Sequence, residues 1–175
     1  MKRTFEEIGR KINKNSKGFS LLELVVVIAV MMALVLVVTG SFTLIYKSRA
    51  KSTAERFGAF LSQSKVNSLS GISNELEFYC DGEKGSYICR LKNSSGGEYK
   101  SSEIGASRID VKVNGNSLQD GEKLVISFSR STGAVEKIML GENSLLAYVS
   151  NTVTFSMSRT YTVTLYTLTG EHEIA

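Results

Sequence analysis

The chain has 175 residues and a formal net charge of +4, with 42% hydrophobic residues, two cysteines, one histidine and no proline. That length leaves room for one small domain beyond an apolar N-terminal run. Residues 1–18 hold six basic and two acidic side chains, an excess of four, so the other 157 residues balance at 15 of each sign. The basic pI therefore belongs to the leader, and net charge gives no support to a nucleic-acid-binding domain.

The chain is organised around Gly18-Phe19-Ser20-Leu21-Leu22-Glu23 and the apolar run that follows, in which residues 24–38 carry no polar side chain. The run softens through Thr39, Gly40, Ser41 and Thr43 and meets no charge until Lys47. As a helix, residues 19–46 would be roughly 42 Å long at about 1.5 Å per residue. The ~20 residues that cross a bilayer are exceeded, so a membrane helix is expected. By the positive-inside rule the basic leader stays in the cytoplasm and residues 71–175 lie across the membrane, although Lys47, Arg49 and Lys51 stand on the far side. Glu23 is the only ionisable group in the run. A carboxylate in hydrocarbon costs on the order of 2.5–3.5 kcal/mol, so it needs a partner.

A short leader ending Lys17-Gly18, then Phe19, then Glu23 and unbroken apolar helix resembles the type IV prepilin signature, shared with type II secretion pseudopilins. The resemblance implies cleavage by a membrane-embedded prepilin peptidase between Gly18 and Phe19 and N-methylation of Phe19. It also implies assembly with other pilin or pseudopilin subunits on an inner-membrane platform, with the bilayer as the environment beforehand. Cleavage would leave a cationic amine at Phe19, one helical turn from Glu23, because positions i and i+4 share a face. That amine, or the one on an adjacent subunit, can neutralise Glu23 and make the acid a register device for assembly. Gly18 leaves the scissile backbone unshielded. Two rivals stand beside this reading. One is a plain signal anchor with a stray acid. The other is signal-peptidase cleavage after Val38-Thr39-Gly40, giving a mature N-terminus at Ser41.

Beyond the membrane segment, Ala50, Ala54, Phe57 and Leu61 form a helical stripe, and Gly71 is a plausible stop. A single helix is expected from residue 19 to about residue 70, with residues 47–70 an amphipathic continuation. Gly40 stands where many type IV pilins carry a proline, and reads either as a softening point or as a tolerated glycine. From residue 71 the pattern alternates. Strands are expected at residues 75–80, 86–91, 108–113, 123–129, 134–140, 151–157 and 160–167, with Asn114-Gly115 a hairpin turn and residues 93–102 a Ser/Gly-rich loop. The expected fold class is α+β, a long N-terminal membrane-spanning helix packed on an antiparallel β-sheet, which is also the pilin architecture. Ile126-Ser127-Phe128, Gly133, residues 161–165 and Gly170 are similar to the C-terminal pattern of H-type minor pseudopilins.

Cys80 and Cys89 flank a hairpin turn. If Lys84-Gly85 is a two-residue turn, Cys80 faces Cys89 and a disulfide is expected in an exported domain. A four-residue loop centred elsewhere misaligns them and leaves two half-buried thiols. His172 reads as a solvated tail residue. No nucleophile elbow, phosphate loop or metal-ligand cluster stands out, so neither catalysis nor a cofactor is expected. The leading function is a structural filament subunit. The alternatives are a competence pseudopilin that touches DNA, and an anchored extracytoplasmic enzyme.

Overall fold

The computed structural model describes residues 20–72, 74–93, 97–146 and 149–175. The expected cleavage pair, Gly18 and Phe19, lies outside the described residues. Helix α1 spans Leu21–Leu69 and passes through Gly40 as α-helix. It ends as a Schellman cap, in which the Ile72 N–H bonds the Asn67 carbonyl (2.9 Å) and the Gly71 N–H that of Ser68 (3.0 Å). The chain divides into two compact units, Met1–Ser41 and Phe42–Ala175.

The second unit is built from the later half of α1 and two antiparallel sheets. Strands β1 (Asn74–Asp81), β2 (Ser86–Asn93), β3 (Glu98–Ala106), β6 (Lys123–Phe128), β7 (Val135–Leu140) and β8 (Asn143–Ser144) form one, in the order β3-β2-β1-β6-β7-β8. Strands β4 (Asp110–Val113), β5 (Asn116–Ser117), β9 (Ser150–Ser156), β10 (Thr160–Tyr166) and β11 (His172–Ile174) form the other, ordered β11-β10-β9-β4-β5. A single sheet was the expectation. The alternation that marks each strand names its buried face but not its neighbour, and here β1 takes β6 whereas β4 takes β9.

Helix and sheets converge on three rings. Phe57 of α1 lies 5.0 Å from Phe78 on β1 and 5.6 Å from Phe155 on β9, and those two are 6.0 Å apart. All three are among the largest fully buried side chains, at the centre of a core that includes Ala54, Leu61, Leu76, Leu124 and Val163. The expected stripe of Ala50, Ala54, Phe57 and Leu61 is buried throughout. The strongest turn signal also holds. Asn114 adopts φ 49° and Gly115 φ 86°, and the Asn114 side-chain oxygen accepts the Thr152 N–H at 2.8 Å.

Two local readings are corrected. The stretch expected as a loop over residues 93–102 contains the start of β3. Its polar composition hides an edge strand that touches α1: Lys100 stands 5.1 Å over the Phe60 ring and Ile104 is buried. Gly105 makes this approach possible, since a Cβ there would come within 2.6 Å of the Thr53 hydroxyl.

The second correction concerns the disulfide Cys80–Cys89. Asp81 pairs with Ser86 across a four-residue loop, so Cys80 faces Tyr87 and Cys89 faces Phe78. The Asp81 carboxylate accepts the Lys84 N–H at 3.2 Å and Gly85 takes φ 61°, which together favour the longer turn. The cysteines are then diagonal neighbours, about 7–8 Å apart by sheet geometry. That exceeds the ~6.8 Å limit for a relaxed disulfide, and both thiols are free. Burial raises the Cys89 pKa well above its ordinary value; burial and then Asp120 and Asp81 raise that of Cys80.

Two outcomes are expected. Phe57→Ala should lower the unfolding free energy by about 3–5 kcal/mol, read from the denaturant midpoint. Thiol titration without reductant should count both cysteines after denaturation, with Cys89 unreactive in the native protein; a count of zero would restore the cross-link.

Candidate functional site

Within the first unit, the described side chains from Leu21 to Leu36 include Leu, Val, Ile, Met and Ala around the whole helix, interrupted only by Glu23. Leu21 is 82% exposed, and even Ile28, the most covered of the large apolar residues here, is 46% exposed. A helix apolar on every side is a helix meant to be buried. Among the described residues these side chains are exposed, and an apolar surface of this extent marks a place where lipid or another protein can pack. Among the described residues no helix is long and apolar enough to cross a membrane. The described side chains of the run stop at Leu36, while the sequence stays largely apolar to Tyr46.

Glu23 lies in the first turn of α1 and is exposed. Helix amides there lack intrahelical partners, and the aligned peptide dipoles favour negative charge by about 0.3–1 kcal/mol at exposed positions. An acid at this spot thus supports the helix start. In the sequence it stands four positions after Phe19. Of the sequence-derived site residues, Glu23 is the one described in the apolar unit, and Cys80 and Cys89 lie far along the chain in the β-rich unit.

Sequence reading missed the C-terminus. His172 is in β11, opposite Leu165, and is partly buried rather than a solvated tail residue. Its ring and Ile174 lie against Gly58 of α1, where an added Cβ would come 3.1 Å from His172 Nε2 and 2.9 Å from Ile174 Cδ1. The signal was faint. Gly58 interrupts the helical stripe and Gly170 precedes the last three alternating residues, but nothing in the sequence pairs them. Burial, then the nearby Lys65 ammonium, lowers the His172 pKa. Among the described residues no group of three or more His, Cys, Asp or Glu side chains could hold a metal ion.

His172 sets a pH dependence. A histidine whose folded pKa lies below its unfolded value of about 6.5 binds more protons unfolded than folded in the window beneath 6.5. Its contribution to stability is therefore complete above that pH and declines as pH falls below it. The unfolding midpoint should drop between pH 7 and 5, and His172→Gln should flatten that slope while leaving the carboxylate-driven fall at lower pH.

Residues 13–39 match the family model described as the prokaryotic N-terminal methylation motif, the type IV pilin and pseudopilin signature. No curated protein and no solved structure matches the chain.

Proposed function

We propose that this chain, bearing a prepilin-type methylation motif at its N-terminal end, is a pilin-like structural subunit, either a minor pilin or a pseudopilin. It is inserted in the cytoplasmic membrane through residues 19–46, with the leader inside and the β-rich unit outside. Prepilin peptidase trims it between Gly18 and Phe19, and Phe19 becomes the methylated N-terminus. The helix then leaves lipid for a bundle of like helices in a secretion or pilus-type filament. The reading is carried by one observation: an all-round apolar, uncovered helix whose first turn holds a lone acid, in register with the methylation motif.

The chemistry follows from that acid. In the membrane, Glu23 needs a countercharge. Cleavage makes one, since the new amine at Phe19 is cationic and one turn away. In a filament the amine of an incoming subunit can take the same role, so that an axial shift of one helix against its neighbour leaves two charges unmatched in an apolar surround. Close packing of apolar side chains holds the helices together without fixing their offset, and the charge pair supplies the offset. Within this reading, the resemblance to H-type minor pseudopilins rests on the C-terminal sequence pattern that includes Gly133 and Gly170, both at left-handed φ.

Intact-mass measurement of the membrane form should give a chain beginning at Phe19 and one methyl group heavier. A chain beginning at Ser41, or never trimmed, overturns the proposal. Gly18→Arg should accumulate the full-length precursor. Glu23→Ala should be trimmed normally yet be lost from filaments, and normal incorporation of that variant would defeat the charge-pair account.

A further inference from the structure

Along the flank where α1 passes edge strand β3, the second unit carries a groove of two open cavities, of about 560 and 280 Å³, that share Arg56 and Ile104. Its floor includes Phe60 and Ile104, both buried. Arg49 and Arg56 border it on the helix and Lys100 on the strand, with Glu103 the one acid lining it among the described residues. Among those residues neither guanidinium has an ion-pair or hydrogen-bond partner, and Lys100 bonds the neutral Gln63 amide. The other flank of α1 is raised. There the turn from β10 to β11 carries Leu168 at 79% exposure, beside Val149 at 73%, the two most exposed large apolar side chains described in this unit. Glu171 follows, exposed, its carboxylate without a partner among the described residues. Glu173 is exposed as well and meets the Tyr166 hydroxyl at a long 3.4 Å. One flank is recessed, apolar at its floor and basic at its rim; the other protrudes, apolar at its tip and acidic beside it.

We propose that the β10–β11 turn of one copy docks into the α1–β3 groove of a second copy, with Leu168 entering over Phe60 and Ile104 and Glu171 meeting Arg56. The contact rests on the filament-subunit reading above and adds to it a named surface on the β-rich unit. Charge selects the occupant: the groove's lining carries three cations against one acid, and the turn offers two acids with Lys65 the cation described beside it. An apolar centre inside a charged rim is the usual anatomy of a specific interface, and the rim charges fix orientation more than they add affinity.

Placement on the helix decides what kind of assembly follows. At about 100° per residue, the groove positions 49, 52, 56, 60 and 63 and the turn-side positions 62, 65, 66 and 69 lie on either side of the buried stripe, roughly 140° apart. Two different patches that fit each other make a heterologous contact, so every copy can both give and receive one. The turn-side positions are also centred roughly ten residues further along the helix, a step of about 15 Å. With neighbouring helices parallel, each docked copy is displaced along the rod relative to the last. A contact that carries such a step cannot close into a ring, and it propagates as an open helix.

The test uses the full chain in mild detergent, as an equal mixture of unlabelled and nitrogen-15-labelled copies with a photoreactive benzophenone amino acid in place of Leu168. Irradiation should join that site in one isotope form to residues 48–63 or 100–104 of the other. The yield should fall roughly tenfold with Arg56→Glu and with Glu171→Lys, since like charges then meet, and should recover when both substitutions are combined in one chain. Lys112→Glu, on β4, should leave it unchanged, with circular dichroism checking the fold of each variant. Links confined to one copy, a link between two photoreactive sites, or a yield indifferent to both charge reversals overturns the docking. So does irradiation in the expressing cell's membranes that links the turn to a different protein and never to a second copy. The N-terminal mass keeps the two readings apart: a chain beginning at Ser41 defeats the filament subunit whether or not the link forms, whereas a chain trimmed to Phe19 without the link loses only the docking.

Discussion

The two halves of helix α1 carry two different surfaces. From Leu21 to Leu36 every face is apolar apart from Glu23, a surface that water does not tolerate and lipid or packed helices do. From Ala50 onward a single stripe is apolar and buried, and the opposite face carries Lys51, Glu55 and Ser62 in the open. Most of the stability of such a helix comes from what it packs against, since helix propensity alone is marginal. The later half obtains it from two sheets of its own chain. The earlier half is exposed at its described side chains.

That division explains why one acid matters so much. In the β-rich unit charges have partners at hand: on the face of β1 turned away from the core, Glu77 pairs with Lys92 at 2.6 Å and Glu75 with Lys137 at 2.9 Å. The Glu75–Lys137 pair is partly exposed and worth little, whereas Glu77 is buried and depends on Lys92 for its countercharge. Among the described residues Glu23 has no such partner in the apolar unit; under the proposed function its charge is answered by an N-terminus made by cleavage or supplied by a neighbour. A modest interaction in water becomes decisive where the alternative is an isolated charge in hydrocarbon.

The β-rich unit in turn is held to α1 at places where a side chain is missing. Gly105 lets β3 come down on Thr53, and Gly58 lets His172 and Ile174 come down on α1. Each close approach buries polar groups that then find partners or shift their ionisation, Thr53 by hydrogen bonding to backbone carbonyls and His172 by favouring its neutral form. The aromatic triangle of Phe57, Phe78 and Phe155 lies between the helix and both sheets, so one residue of α1 ties all three layers.

Local information was enough for the apolar run, the acid in its first turn, the buried stripe from Ala50 to Leu61, the stop at Gly71 and the Asn114-Gly115 turn. Each depends on side-chain period or on backbone preference over a few residues, which the local order of residues carries. The methylation motif is legible for the same reason, being a contiguous pattern. Tertiary structure decided the rest: the split of the strands into two sheets, the four-residue turn that separates Cys80 from Cys89, the edge strand inside a polar stretch, and the docking of His172 on Gly58. These are choices among partners distant in the chain, made by packing rather than by propensity, and a one-dimensional pattern names a buried face without naming what buries it.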